Sequence, residues 1–143
     1  MLFGKRKRIV NRILIVEDEP LTAFDNEMLI ADEGYEVVAT LDRFSDALET
    51  LDREQIDLIL CDVRLTGERT GIDLAVEAKL RRIPVLFVTG APPDNASDLV
   101  IGCLLKPYRD RTLKAALDAV DRYLAGEKAR PPAGLTLYPK AAI

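Results

Sequence analysis

From Arg12 onward the chain alternates between short runs of leucine and β-branched residues and longer stretches whose apolar residues recur every three or four positions. The runs Ile13–Val16, Glu36–Ala39, Leu58–Cys61, Val85–Val88 and Gly102–Leu105 predict five strands. Most are hydrophobic at nearly every position rather than at every second one, which is the pattern of strands buried on both faces by flanking helices. Between them, one helical face is predicted from Leu21, Phe24, Met28 and Leu29, a second from Phe44, Ala47, Leu48 and Leu51, and a third from Ile72, Ala75, Val76 and Leu80. A last helix follows from Leu113, Leu117, Val120 and Leu124. Strands alternating with helices predict an α/β fold, a five-stranded parallel sheet with helices on both faces.

Glycine, proline and acidic residues punctuate this pattern. Gly34 is placed to end the first helix, because the residue past a helix end often takes a left-handed conformation that a side chain disfavours. Asp110 stands where it can cap the last helix and complement its dipole. Pro84 is tolerable at the beginning of a strand. The stretch Gly90-Ala91-Pro92-Pro93-Asp94-Asn95 breaks regular structure and leaves only Asn95 to Val100 for a helix before the fifth strand, so the fourth helix is predicted to be short or missing. Residues 127–134 read as a linker-like exit, after which Leu135-Thr136-Leu137-Tyr138 has the makings of a short docking strand but not of an output domain. The expected organisation is a basic arm over residues 1–11, one domain over 12–126 and a tail over 127–143.

Composition narrows the chemistry. Across 143 residues, 48% hydrophobic beside 31% charged is an ordinary globular mixture, and 20 basic against 24 acidic residues give a net charge of -4. Such a balance offers no broad positive field for a phosphate backbone, so direct DNA binding is not expected. Lys5-Arg6-Lys7-Arg8 is basic but is not followed by the apolar stretch of a secretory signal, and it reads as a solvated arm. With no apolar run long enough to span a bilayer, a cytoplasmic protein without membrane contact is expected. Cys61 and Cys103 lie inside apolar runs and read as reduced core thiols. The chain has no histidine, which removes the commonest general base, His-containing metal sites and a phosphohistidine carrier at once.

Carboxylates must therefore carry any chemistry. In an open α/β sheet, ligands bind beyond the carboxyl ends of the strands. Glu17, Asp18 and Glu19 follow the first strand, Asp62 closes the third, Thr89 closes the fourth and Lys106 follows the fifth, so distant residues are expected to converge on one edge. Clustered carboxylates repel unless a cation offsets them, and Mg²⁺, which takes hard oxygen ligands and shares them with phosphate, fits that need. An aspartate can also act as a nucleophile toward phosphorus. Asp62 as nucleophile, Glu17 and Asp18 as metal ligands, Lys106 over the equatorial oxygens and Thr89 as hydroxyl donor supply the parts of a phosphoryl transfer. Gly90 leaves room above the acceptor and presents an unhindered N–H.

These residues resemble the receiver domains of two-component response regulators. The matching stretches are Ile13-Leu14-Ile15-Val16-Glu17-Asp18-Glu19-Pro20, Asp57-Leu58-Ile59-Leu60-Cys61-Asp62-Val63-Arg64-Leu65, Val85-Leu86-Phe87-Val88-Thr89-Gly90 and Leu104-Leu105-Lys106-Pro107-Tyr108, spread over residues 12 to 124. The resemblance implies a flavodoxin-like strand order 2-1-3-4-5, Asp62 as phosphoacceptor, and Mg²⁺ held by Glu17, Asp18, Asp62 and the backbone carbonyl of Arg64. It also implies phosphoryl contacts from Lys106, Thr89 and the backbone at Gly90 and Arg64, and a cis Lys106–Pro107 bond. A sensor histidine kinase or histidine phosphotransfer protein would be the donor; the downstream protein partner and the oligomeric state are left open.

Two departures stand out. Similar domains carry an aromatic residue three positions before the lysine, where this chain has Cys103. Phe87-Val88-Thr89-Gly90-Ala91-Pro92 resembles a subgroup with a Phe-Ala-Thr-Gly-Gly-Tyr motif, with Val88 for its alanine and Ala91-Pro92 for Gly-Tyr. Many members of that subgroup stand alone, which implies signalling by protein contact or phosphate competition, with phosphorylation rearranging the loop from Gly90 to Val100. Arg64 is expected to be solvated, and Tyr108 reads as an exposed aromatic open to a partner. Three other readings compete with this one. A haloacid-dehalogenase-like phosphatase is disfavoured because Asp62-Val63-Arg64 lacks its second acid. A flavin binder is disfavoured because Glu17-Asp18-Glu19-Pro20 repels phosphate. A phosphorylation-independent binding module is disfavoured by the full acidic set.

Overall fold

The computed structural model describes residues 6–139. The elements run β1 (Arg12–Val16), α1 (Pro20–Asp32), β2 (Glu36–Leu41), α2 (Phe44–Arg53), β3 (Leu58–Asp62), α3 (Gly71–Leu80), β4 (Val85–Thr89), α4 (Ala96–Leu99), β5 (Gly102–Leu105), α5 (Asp110–Leu124) and β6 (Leu135–Leu137). The sheet order is β2-β1-β3-β4-β5-β6. The first five strands pair in parallel in the expected order. The sheet has six strands rather than five, however, because the tail returns as β6 and pairs antiparallel with β5. Helix α4 spans four residues, short as expected.

Strand alternation sorts the buried side chains into two layers. Leu14, Val16, Ile59, Cys61, Val85, Phe87 and Cys103 face α2, α3 and α4. Ile13, Ile15, Leu58, Leu60, Leu86, Val88 and Leu104 face α1 and α5. Fully burying each aliphatic side chain contributes about 1.5–3 kcal/mol, so the two layers supply most of the drive to fold.

The predicted faces of α2 and α5 are the buried ones. Those of α1 and α3 are buried only in part, through Leu29 in α1 and Ile72 and Ala75 in α3. Leu21 is 73% exposed, Phe24 56% and Met28 50%, while Ala23, Asn26 and Ile30 face inward. In α3 the expected Val76 and Leu80 are exposed, and Leu74, Ala75 and Ala78 are buried. Both helices carry apolar residues on more than one face, so spacing alone does not choose between faces; the small Ala23 and Ala78 allow closer approach to the sheet.

Gly34 ends α1 with φ of 92°, as expected. Asp110 is the first residue of α5 and makes no side-chain cap; Arg109 occupies the cap position. Among the described residues of the basic arm Lys7 is exposed as expected, but Arg6 and Arg8 are docked on the domain. The buried Asp121 carboxylate on α5 accepts an ion pair from Arg6 and the amides of Ile9 and Val10 at 2.9 and 2.8 Å. Burial works to raise the pKa of Asp121, but these donors outweigh it and hold the carboxyl below its usual range. Arg8 lies 4.0 Å over the Tyr35 ring. Met1 to Lys5 lie outside the described residues.

Candidate functional site

Each parallel strand ends at the same edge of the sheet, and the chain leaves that edge carrying the polar residues. Just beyond β1, the Glu17 amide donates to Leu41 O at 2.8 Å, which fixes the first turn of the acidic loop against β2. Glu19 caps α1, accepting from the amides of Leu21 and Thr22 at 3.3 and 2.8 Å. Asp62 closes β3, and its Oδ1 accepts from the Arg64 amide at 3.2 Å. Beyond β5, the Lys106 amide donates to Thr89 O at 3.0 Å, so the strand pairing runs directly into the lysine.

Lys106 reaches back across this edge. Its Nζ stands 2.7 Å from Glu17 Oε1 and 2.9 Å from Asp62 Oδ2, one ammonium bridging two buried carboxylates. Glu17, Asp18 and Asp62 each offer a carboxylate oxygen, all within 4.8 Å of one another. Burial pushes the Glu17 carboxyl up to about 7, helped by its hydrogen bond to Asp62 and opposed by Lys106. Burial works to lower Lys106, yet its bonds to Glu17 and Asp62 prevail and raise its pKa. This charge pattern fits a divalent cation. Three converging hard oxygen donors exceed the neutralising capacity of one ammonium, and Mg²⁺ takes such a set while keeping waters.

The remaining expected residues lie around this cluster. Thr89 is buried at the end of β4, one position beyond the partner of Asp62 in the sheet register. Its Oγ1 accepts from the Ala91 amide at 3.2 Å, so the hydroxyl is engaged by its own loop. Gly90 is exposed, and a side-chain carbon there would meet nothing within 4 Å, so its backbone is uncrowded. The Arg64 side chain is exposed. The Lys106–Pro107 bond is cis.

Two supports were missed in the sequence. A side-chain carbon at Gly71 would sit 2.0 Å from Asp62 O, so only glycine lets α3 begin against the end of β3. The signal for that helix start was present in Thr70-x-x-Asp73: Thr70 accepts from the Asp73 amide, and Asp73 accepts from the Thr70 amide at 2.8 Å. Tyr108, read as exposed, is half-buried and donates from its hydroxyl to the buried Asn26 Oδ1 at 2.9 Å, tying the lysine loop to α1. Nothing in the sequence paired these two positions. Both cysteines are free and buried; burial raises the Cys61 thiol and pushes the Cys103 thiol up to about 11, which keeps both protonated at neutral pH.

Comparison with known proteins bears on the family and the fold. The chain is 32% identical over 122 residues to the transcriptional regulatory protein PdtaR of Mycobacterium tuberculosis, covering 80% of this chain and 59% of that protein. It is 33% identical over 86 residues to the phyllosphere-induced regulator PhyR of Methylorubrum extorquens, covering 59% of this chain and 32% of that protein. The chain thus spans at most about three-fifths of these relatives' length. A CheY-like receiver domain protein from Methanospirillum hungatei superposes with a TM-score of 0.69 at 26% identity, covering 82% of this chain and 95% of that one. The receiver domain of sensor histidine kinase PA1611 from Pseudomonas aeruginosa, with magnesium coordinated in its active-site cleft, superposes at 0.68 and 24% identity, covering 82% and 99%. Among the described residues no helix is long and apolar enough to cross a membrane. The response regulator receiver domain model matches residues 13–118, and the chain, whose carboxylates and lysine meet at the strand ends of a receiver fold, belongs to that family.

Proposed function

We propose that this chain is a phosphoacceptor of two-component signalling, taking a phosphoryl group on Asp62 from a histidine kinase or histidine phosphotransfer protein and passing the signal on by protein contact. The observation that carries this reading is the bridge from Lys106 Nζ to Asp62 Oδ2 and Glu17 Oε1, which sets a positive charge beside a carboxylate at an open sheet edge.

Asp62 attacks phosphorus; the bond from phosphorus to the donor's imidazole nitrogen breaks, and the electron pair leaves with that nitrogen. Mg²⁺, held by Glu17, Asp18, Asp62 and the Arg64 carbonyl, would neutralise charge on the phosphoryl oxygens. Lys106 stays within reach of the acceptor and follows the added charge outward. Thr89, on leaving Ala91, offers its hydroxyl to a phosphoryl oxygen, and the uncrowded Gly90 amide offers a second donor. Arg64, at the position where a haloacid-dehalogenase-like phosphatase carries its second acid, supports an acceptor over a phosphatase.

Acetyl phosphate with Mg²⁺, followed by intact mass, tests the reading. One added phosphoryl group is expected, lost in Asp62→Asn and prevented by EDTA. An unmodified wild-type mass, or modification that persists in Asp62→Asn, overturns it.

A further inference from the structure

The outer edge of β5 is shaped to receive a strand. Gly102 lies in its first position, and a side-chain carbon there would sit 2.5 Å from Thr136 O and 3.0 Å from the Leu137 side chain, both on β6, with no other neighbour as near. Glycine inside a strand marks a place where another backbone comes close. The occupant is the tail itself: Gly102, Cys103 and Leu104 pair with Leu137, Thr136 and Leu135, and flanking bonds run from the Leu105 amide to Gly134 O at 2.9 Å and from the Tyr138 amide to Ile101 O at 2.9 Å. Leu135 packs with the layer under α1 and α5, and Tyr138 with the opposite layer, which contains Cys103, Ala96 and Val100. Tyr138 thereby brings a ring to the layer in which position 103 supplies only a small thiol.

Two paths join this tail to the phosphorylation edge. Leu105, held by Gly134 O, precedes Lys106, whose own amide is held by Thr89 O. Thr89 Oγ1 in turn accepts from the Ala91 amide, at the start of the loop that leads to Ala96 and Val100 in the layer on which Tyr138 packs. Both paths are made while Lys106 bonds directly to Asp62 and Thr89 bonds to its own loop. A phosphoryl group on Asp62 draws both side chains away from these positions.

We infer that the β5 edge is a strand-binding surface occupied by residues 135–138 of this chain, and that phosphorylation of Asp62 loosens that strand and exposes the edge. This rests on the phosphoacceptor reading above. The two events share a coupling free energy, so each weakens the other reciprocally.

Hydrogen exchange by mass spectrometry, run on the full chain with and without acetyl phosphate and Mg²⁺ while intact mass reports modification, tests it. Exchange at the Leu105 and Tyr138 amides is expected to quicken about tenfold in the phosphorylated protein, within the usual range of allosteric coupling. In Gly102→Ala, whose added carbon meets only β6, exchange at these amides is expected to be fast already and to change little on phosphorylation. Circular dichroism checks that this variant is folded, and Tyr138→Ala, which leaves β5 untouched, should show the same loss of response. Phosphorylation with unchanged or slower exchange at these amides overturns the strand release alone. Absence of phosphorylation overturns the acceptor reading and the release with it.

Discussion

Lys106 Nζ lies 2.9 Å from Asp62 Oδ2 while its other bond, 2.7 Å long, holds Glu17 Oε1, so one side chain bridges, and partly neutralises, two carboxylates at the ends of different strands. In Lys106→Met that neutralisation is lost. At pH 8 the metal-free variant is expected to be about 1–3 kcal/mol less stable, since two poorly solvated carboxylates lose their partner. Added Mg²⁺ should stabilise it more than it stabilises the wild type, which urea melts with and without the ion would measure.

Glu17 titrates at about 7 instead of its ordinary 4.5. A carboxyl whose pKa is raised by folding stabilises the protein while protonated and loses that contribution as it ionises. The metal-free protein is therefore expected to lose stability through this group as pH rises from about 4.5 to about 7, a slope absent in Glu17→Gln. As pH rises through the folded value of about 7 a cation competes with fewer protons, so Mg²⁺ affinity should rise between pH 6 and pH 8. Thermal melts in EDTA and calorimetric Mg²⁺ titrations check the two halves separately.

Gly71→Ala places a carbon where Asp62 O already stands, at 2.0 Å. Neither a strand carbonyl nor a capped helix start yields easily, and a loss of about 3 kcal/mol is expected from the overpacking. Because the displaced group belongs to the acceptor itself, phosphorylation by acetyl phosphate should fall even at temperatures where the variant stays folded.

Asp121 gathers Arg6 and the amides of Ile9 and Val10 at one buried carboxylate. Asp121→Ala strands those donors, with an expected cost of about 2–4 kcal/mol. Limited proteolysis should then cut the segment around residues 6–10 while the sheet remains intact.

The five parallel strands and the meeting of Glu17, Asp18, Asp62 and Lys106 were legible in the sequence because hydrophobic runs mark buried strands and a parallel sheet gathers the residues after them on one edge. The burying face of α1 was not legible. Leu21, Phe24 and Met28 look like a core stripe until the sheet is present to select the ridge with Ala23 and Asn26. Arg6 and Asp121 show the same limit at long range: each looks like an ordinary surface charge, and only folding brings them within an ion pair across 115 positions. Gly71 belongs to a third kind, since its importance comes from an atom that is not there, and a sequence does not say which glycine has a carbonyl beside it.

The single turn of α4 has a consequence for motion. A helix of four residues closes too few hydrogen bonds to repay its own nucleation, so Ala96–Leu99 holds its shape only through neighbours such as Lys79, which donates to the Asp98 carbonyl. The stretch from Gly90 to Val100 therefore opens at a free energy well below that of global unfolding. This stretch, which begins beside Thr89, is expected to yield first, while the strands beneath it stay closed.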